Sequence, residues 1–100
     1  MAEGKPVFID FTARWCLTCQ TNKANAYTPE MVAYFKEQGI VALRADKTNP
    51  RPDIDEELRR LDRSAIPVNV FYAPKSSTPL VTETLLTADY LKSFFAPHFP

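Results

Sequence analysis

The chain has 100 residues, 45% hydrophobic and 24% charged, which are the proportions of one soluble globular domain. Twelve Lys plus Arg balance twelve Asp plus Glu, and a net charge of zero argues against a nucleic-acid binder or a polybasic membrane-surface module. No apolar run approaches the roughly 18 residues of a membrane-spanning helix, and the opening Met1-Ala2-Glu3-Gly4-Lys5 lacks the apolar core of a secretion signal. One soluble domain over residues 1–100 is expected, free-standing or excised from a larger membrane protein.

Residues 6–12, Pro-Val-Phe-Ile-Asp-Phe-Thr, form an apolar, β-branched and aromatic run. Its continuity predicts a strand buried on both faces at a sheet centre. Ala13-Arg14-Trp15 is the turn out of it, and a helix is expected from Cys16 onward. Thr28-Pro29-Glu30 supplies an N-cap, a proline at the first helical position and an early acid. Met31, Val32, Tyr34 and Phe35 give the apolar face of the helix that follows, and Gly39 closes it. Residues 16–38 are therefore one kinked helix or two in series.

Residues 40–45 predict a second strand, and Thr48-Asn49-Pro50-Arg51-Pro52 a loop. Asp53 is the expected cap of a third helix whose Ile54, Leu58 and Leu61 recur at helical spacing. Residues 68–72 predict a third strand, 73–79 a hairpin-type connection and 80–85 a fourth strand. Thr87 is placed to cap a last helix from 88 to about 96, with Tyr90, Leu91, Phe94 and Phe95 apolar. The order β-α-α-β-α-β-β-α predicts an α/β fold, a mixed four-stranded sheet with helices on both faces.

The chain's two cysteines are Cys16 and Cys19, in Trp15-Cys16-Leu17-Thr18-Cys19. A C-x-x-C at a strand-to-helix junction sets the first cysteine at the helix N-terminus. The second lies one turn in, on the same face, within bridging distance. Unpaired amides and the helix dipole favour a thiolate at Cys16. Cys19 lies deeper and stays a thiol until it acts. This asymmetry suits dithiol exchange, with Cys16 attacking a partner disulfide and Cys19 resolving the mixed disulfide. Half of a zinc site is the alternative, but four ligands are needed and His98 is the one other soft ligand. A purely structural disulfide would constrain little, because the loop it closes is so short.

Asp10 puts a carboxyl inside the first apolar run, six residues before Cys16. Buried, it would titrate high and could take and return the proton of Cys19; otherwise it is a strand-end carboxylate in water. Pro67 stands immediately before the third strand, either with a cis bond after Ile66 or as an ordinary trans strand start. A cis bond facing the cysteines would present the Ile66 backbone to an extended partner chain. Trp15 shields the disulfide and offers a docking surface, or packs as core. Phe94, Phe95 and Phe99 read as core, Lys23 and His98 as surface residues.

The stretch Val7-Phe8-Ile9-Asp10-Phe11-Thr12-Ala13-Arg14-Trp15-Cys16-Leu17-Thr18-Cys19, with Ala65-Ile66-Pro67-Val68 further on, resembles the thioredoxin-fold family. The Leu17-Thr18 dipeptide, the Thr28-Pro29-Glu30 restart and Ala45-Asp46-Lys47-Thr48-Asn49 make it similar, within that family, to the C-terminal periplasmic domain of the membrane thiol:disulfide interchange protein DsbD. The resemblance implies a cis Pro67, a nucleophilic Cys16, a resolving Cys19 and a buried Asp10. It also implies a periplasmic protein-disulfide reductase, a monomer needing no cofactor. Its partners would be the disulfides and dithiols of other redox domains, and any membrane link would run through a parent protein's spanning segments. A cytoplasmic-type thioredoxin and a non-catalytic docking module are the other readings. Two departures stand out. Lys23 sits where the family often has an acid, and Ala65 and Val68 flank Ile66-Pro67 where thioredoxins usually have Gly and Thr.

Overall fold

The structure, a computed structural model, describes residues 4–63, 65–76 and 78–99. Residues 1–3 of the opening stretch and position 77 of the expected hairpin connection lie outside these. The elements are β1 (Val7–Thr12), α1 (Leu17–Ala26), α2 (Pro29–Gln38), β2 (Val41–Asp46), α3 (Pro52–Arg60), β3 (Val68–Tyr72), β4 (Leu80–Val81) and α4 (Ala88–Phe95). A single 3₁₀ turn, Ala96–His98, follows α4.

The sheet order is β2-β1-β3-β4. Strand β1 is central, parallel to β2 and antiparallel to β3, and β3 is antiparallel to β4. Side chains alternate along β1, so its two faces feed two cores. On one face Phe8 and Phe71 pack with Ala26, Met31, Leu91 and Phe95 from α1, α2 and α4. The Phe71 and Phe95 rings lie 4.9 Å apart, and Phe8 meets Phe95 edge-on at 5.5 Å. On the other face Phe11, Val68 and Val70 pack against Ile54 and Leu58 of α3. Helices therefore cover both faces of a mixed four-stranded sheet.

The expected restart at Thr28 divides residues 16–38 into two helices. The Thr28 hydroxyl accepts from the Met31 N–H at 3.2 Å, with Pro29 in the first turn. Gly39, at φ 68°, takes the left-handed C-terminal position, which glycine occupies without a Cβ penalty. Thr87 caps α4 through Tyr90 N–H at 3.0 Å.

Two expectations fail locally. The cap of α3 is Arg51, with no side-chain cap bond, rather than Asp53. Pro52 begins the helix, and the Asp53 carboxylate is held by the Arg51 guanidinium, Nη2–Oδ2 2.8 Å. The fourth strand stops at Val81 rather than Leu85. Asn22 of α1 takes over the chain there, donating to the Thr84 carbonyl at 2.8 Å and accepting from the Leu86 N–H at 3.0 Å.

Candidate functional site at the start of helix α1

Strand β1 delivers the chain into a tight turn in which the Cys16 N–H donates to the Ala13 carbonyl at 3.2 Å. Cys16 is then the N-cap of α1, and its Sγ accepts from the Cys19 N–H at 3.1 Å. The first turn of α1 carries no acid to oppose negative charge at this sulfur. Cys16 and Cys19 are joined as a disulfide, their Cα atoms 5.2 Å apart. Both cysteines are buried, Cys16 at 7% and Cys19 at 3% exposure. Beside the pair in the chain, two large apolar side chains stand out to solvent, Trp15 at 60% and Leu17 at 82% exposure. Trp15 is therefore not core.

Ile66 packs against Ala13, Cys16 and Cys19. The Ile66–Pro67 peptide is cis. Pro67 borders a surface groove of about 480 Å³ that runs on past Ala65, Val81, Thr82 and Glu83. Disulfide, proline loop and exposed indole thus share one end of the sheet.

A hydrogen-bonded brace that the sequence reading missed fixes the turn before Cys16. Thr48 receives the Arg14 N–H on its hydroxyl at 2.9 Å and the Trp15 indole N–H on its carbonyl at 3.3 Å. The Thr48 N–H and hydroxyl both donate to Asp46 Oδ1. Those two bonds hold the Asp46 carboxyl below its ordinary range. The Asp-x-Thr spacing at the end of β2 was its signal, since such side chains bond backbone groups two residues on.

Asp10 lies on the same face of β1 as Phe8, the face that α1 covers. Burial pushes its carboxyl above the usual range, while the Asn69 amide, the Lys23 charge, the Tyr27 hydroxyl and Arg44 pull the other way. Asn69 Nδ2 lies 2.9 Å from Asp10 Oδ1 and 3.0 Å from the Tyr27 hydroxyl oxygen. Burial, and then the nearby Asp10 charge, raise Tyr27 far above an ordinary phenol. Lys23 is half-buried and turned toward this group, so it is not the plain surface residue expected from its charge. His98 is also half-buried, its ring 5.4 Å from that of Phe71. Phe94, Phe95 and Phe99 pack in the core as expected. Thr12, next on the same face of β1, is buried with its hydroxyl unpartnered.

The site can hold two sulfurs as a disulfide or release them as a capped thiol and a buried thiol. Among the described residues, no three His, Cys, Asp or Glu side chains gather in one place.

Residues 1–74 match a family model described as thioredoxin-like. Over 71 residues the chain is 34% identical to the thiol:disulfide interchange protein DsbD of Vibrio cholerae, covering 71% of this chain and 12% of that protein. The chain therefore spans about an eighth of that relative's length. The reduced C-terminal domain of Neisseria meningitidis DsbD superposes with a TM-score of 0.71 at 22% identity, covering 94% of this chain and 81% of that one. Oxidised thioredoxin O2 from Arabidopsis thaliana superposes with a TM-score of 0.64 at 18% identity, covering 97% and 77%. The chain belongs to the thioredoxin-like family.

Proposed function

We propose that this chain is a protein-disulfide reductase, working by dithiol exchange through Cys16 and Cys19. The observation that carries the reading is the capping geometry: a disulfide at the N-terminus of α1, with Cys16 as the N-cap, both cysteines buried and the exposed Trp15 and Leu17 on either side of Cys16 in the chain. In the reduced form, the Cys16 thiolate attacks one sulfur of a partner disulfide. A Cys16–partner bond forms, the partner bond breaks, and its other sulfur leaves and takes a proton. The Cys19 thiol then passes its proton to Asp10 and attacks Cys16 Sγ. The Cys16–Cys19 bond closes and the second partner sulfur departs. Two electrons reach the partner in total; its two sulfurs take their protons from water, to which Asp10 returns the one it took from Cys19.

Trp15, Ile66 and Pro67 form the docking surface. Trp15 offers an exposed indole, Ile66 packs against the cluster of Ala13 and the two cysteines, and Pro67 edges a surface groove. An extended partner segment lying along Ile66 would carry its disulfide to Cys16. Residues 1–100 act as one domain, and the domain acts as a monomer without a cofactor.

The 34% identity to a DsbD protein supports a place in a periplasmic relay. There the domain takes electrons from a membrane-embedded partner domain and passes them to a second periplasmic domain. The likeness to a thioredoxin supports a second reading, a cytoplasmic-type thioredoxin supplied by a reductase. Reduction of the oxidised chain by thioredoxin reductase favours the second reading, and failure of that reduction the first. Insulin reduction tests the activity common to both. The native chain reduces insulin and Cys16→Ser does not; equal turnover by both leaves only a docking module.

A further inference from the structure

We infer that Asn69 and Tyr27 are positioning residues for Asp10, holding its carboxylate in the orientation from which it serves the cysteine pair. The inference rests on the proton-accepting role proposed for Asp10 above.

Asn69 is the direct partner of Asp10 in the antiparallel β1–β3 register. Paired residues send their side chains to the same face at close range. Strand β3 reads Val-Asn-Val-Phe-Tyr, and Asn69, at 2% exposure, is a polar residue within an otherwise apolar run. An amide buried there is costly unless its hydrogens are used. Both are used: Nδ2 has two hydrogens, and it meets Asp10 Oδ1 at 2.9 Å and the Tyr27 hydroxyl oxygen at 3.0 Å. The phenol oxygen accepts from Asn69, which leaves its own hydrogen free to turn toward the Asp10 carboxylate that Asn69 also holds. Asn69 thus bridges the acid and the phenol, bringing both polar groups to one place.

Tyr27 is the C-cap of α1, the helix whose N-cap is Cys16. Its ring packs against Phe8 at 6.3 Å, so the hydroxyl is carried on a fixed support. The ring thus ties the acid on β1 to the far end of the helix that bears the sulfurs. Asp10, Lys23 and Tyr27 also line a surface cleft of about 380 Å³, through which a proton taken from Cys19 can pass to water. The groups facing Asp10 are Asn69 from β3, Lys23 and Tyr27 from α1, and Arg44 from β2; no acid is among them.

The test uses the whole chain, joined through Cys16 to a small thiol as a mixed disulfide. Release of that thiol is followed against pH, and the Asp10 carboxyl carbon is titrated by NMR in the reduced chain. Tyr27→Phe and Asn69→Leu each remove one donor to the carboxylate. Each is expected to move the carboxyl midpoint up by about one pH unit, with the release midpoint moving in step. Should Asn69→Leu fail to fold, Tyr27→Phe, which keeps the ring, decides. A release midpoint that stays at its native value in the variants overturns the positioning role. Asp10→Asn tests the underlying reading separately. Slowed release that no longer follows the carboxyl midpoint supports it, and release at the native rate and pH dependence overturns both.

Discussion

The backbone N–H of Cys19 donates to the sulfur of Cys16 across 3.1 Å, in the first turn of the helix that Cys16 caps. The sulfur occupies the position that a capping Ser, Thr or Asp oxygen fills elsewhere. In the reduced protein that N–H and the other free amides of the turn stabilise negative charge on Cys16. Cys19 has no such position and is enclosed. Thiolate absorbance against pH is expected to give a first midpoint below the free-thiol value of about 8.5, with Cys16 alkylated before Cys19. A midpoint above about 9 would contradict the capping role.

Asp10 gives a stability prediction with a definite sign. Burial raises its carboxyl above the ordinary value of 3.8 in the folded chain. Folding therefore favours its protonated form. The stability it contributes is fully present below the unfolded value and is lost as pH rises through the raised folded value. Asp10→Asn is expected to be more stable than the native chain at pH 7, with the difference closing as pH falls toward about 4. Urea midpoints of both proteins at the two pH values test this. A gap that widens on acidification would contradict it.

Thr48 braces the turn that carries the indole and the first cysteine. Thr48→Val removes the hydroxyl that accepts from Arg14 and donates to Asp46. The expected cost is about 1 kcal/mol in denaturant unfolding. Trp15 fluorescence anisotropy should fall and insulin reduction slow severalfold. The Asp46 carboxyl, held low by its bonds to Thr48, adds stability above the unfolded value of 3.8 that is lost as pH falls through the lowered folded value. In Thr48→Val that acid-side loss should shrink.

Thr12 is buried on the Asp10 face of β1 with an unpartnered hydroxyl. Thr12→Val keeps the shape and removes the orphan group. Its unfolding free energy is expected to match the native value or exceed it by up to about 1 kcal/mol. A loss of that size would mean that the hydroxyl has a partner in solution.

What was legible in the sequence was what local chemistry determines. Thr28, Pro29 and Gly39 bound α2 because capping and backbone preferences act within a few residues. Cys16 capped α1 as its place after an apolar strand implied. Asn69 and Tyr27 escaped notice because their partner is an acid 59 residues from one and on a different element from the other. Even so, one sign was present. Asp10 and Asn69 are each a polar residue in an apolar strand, and two such residues on neighbouring strands can answer one another. The shortened β4 had no local sign, since Thr82 and Thr84 are β-forming and the chain is drawn off there by Asn22 on a distant helix. Lys23 misled for a related reason. A lysine on a helix suggests water, and only the packing of α1 over β1 turns it toward Asp10.

The division of labour between the two sulfurs is tested most directly by trapping. Cys19→Ser, reduced and then offered a protein disulfide, should accumulate a covalent adduct through Cys16, visible as one added partner mass and cleared by a reducing agent. Cys16→Ser should accumulate none. Adducts of equal yield from both variants, or from neither, would contradict the assignment of Cys16 as attacking and Cys19 as resolving cysteine.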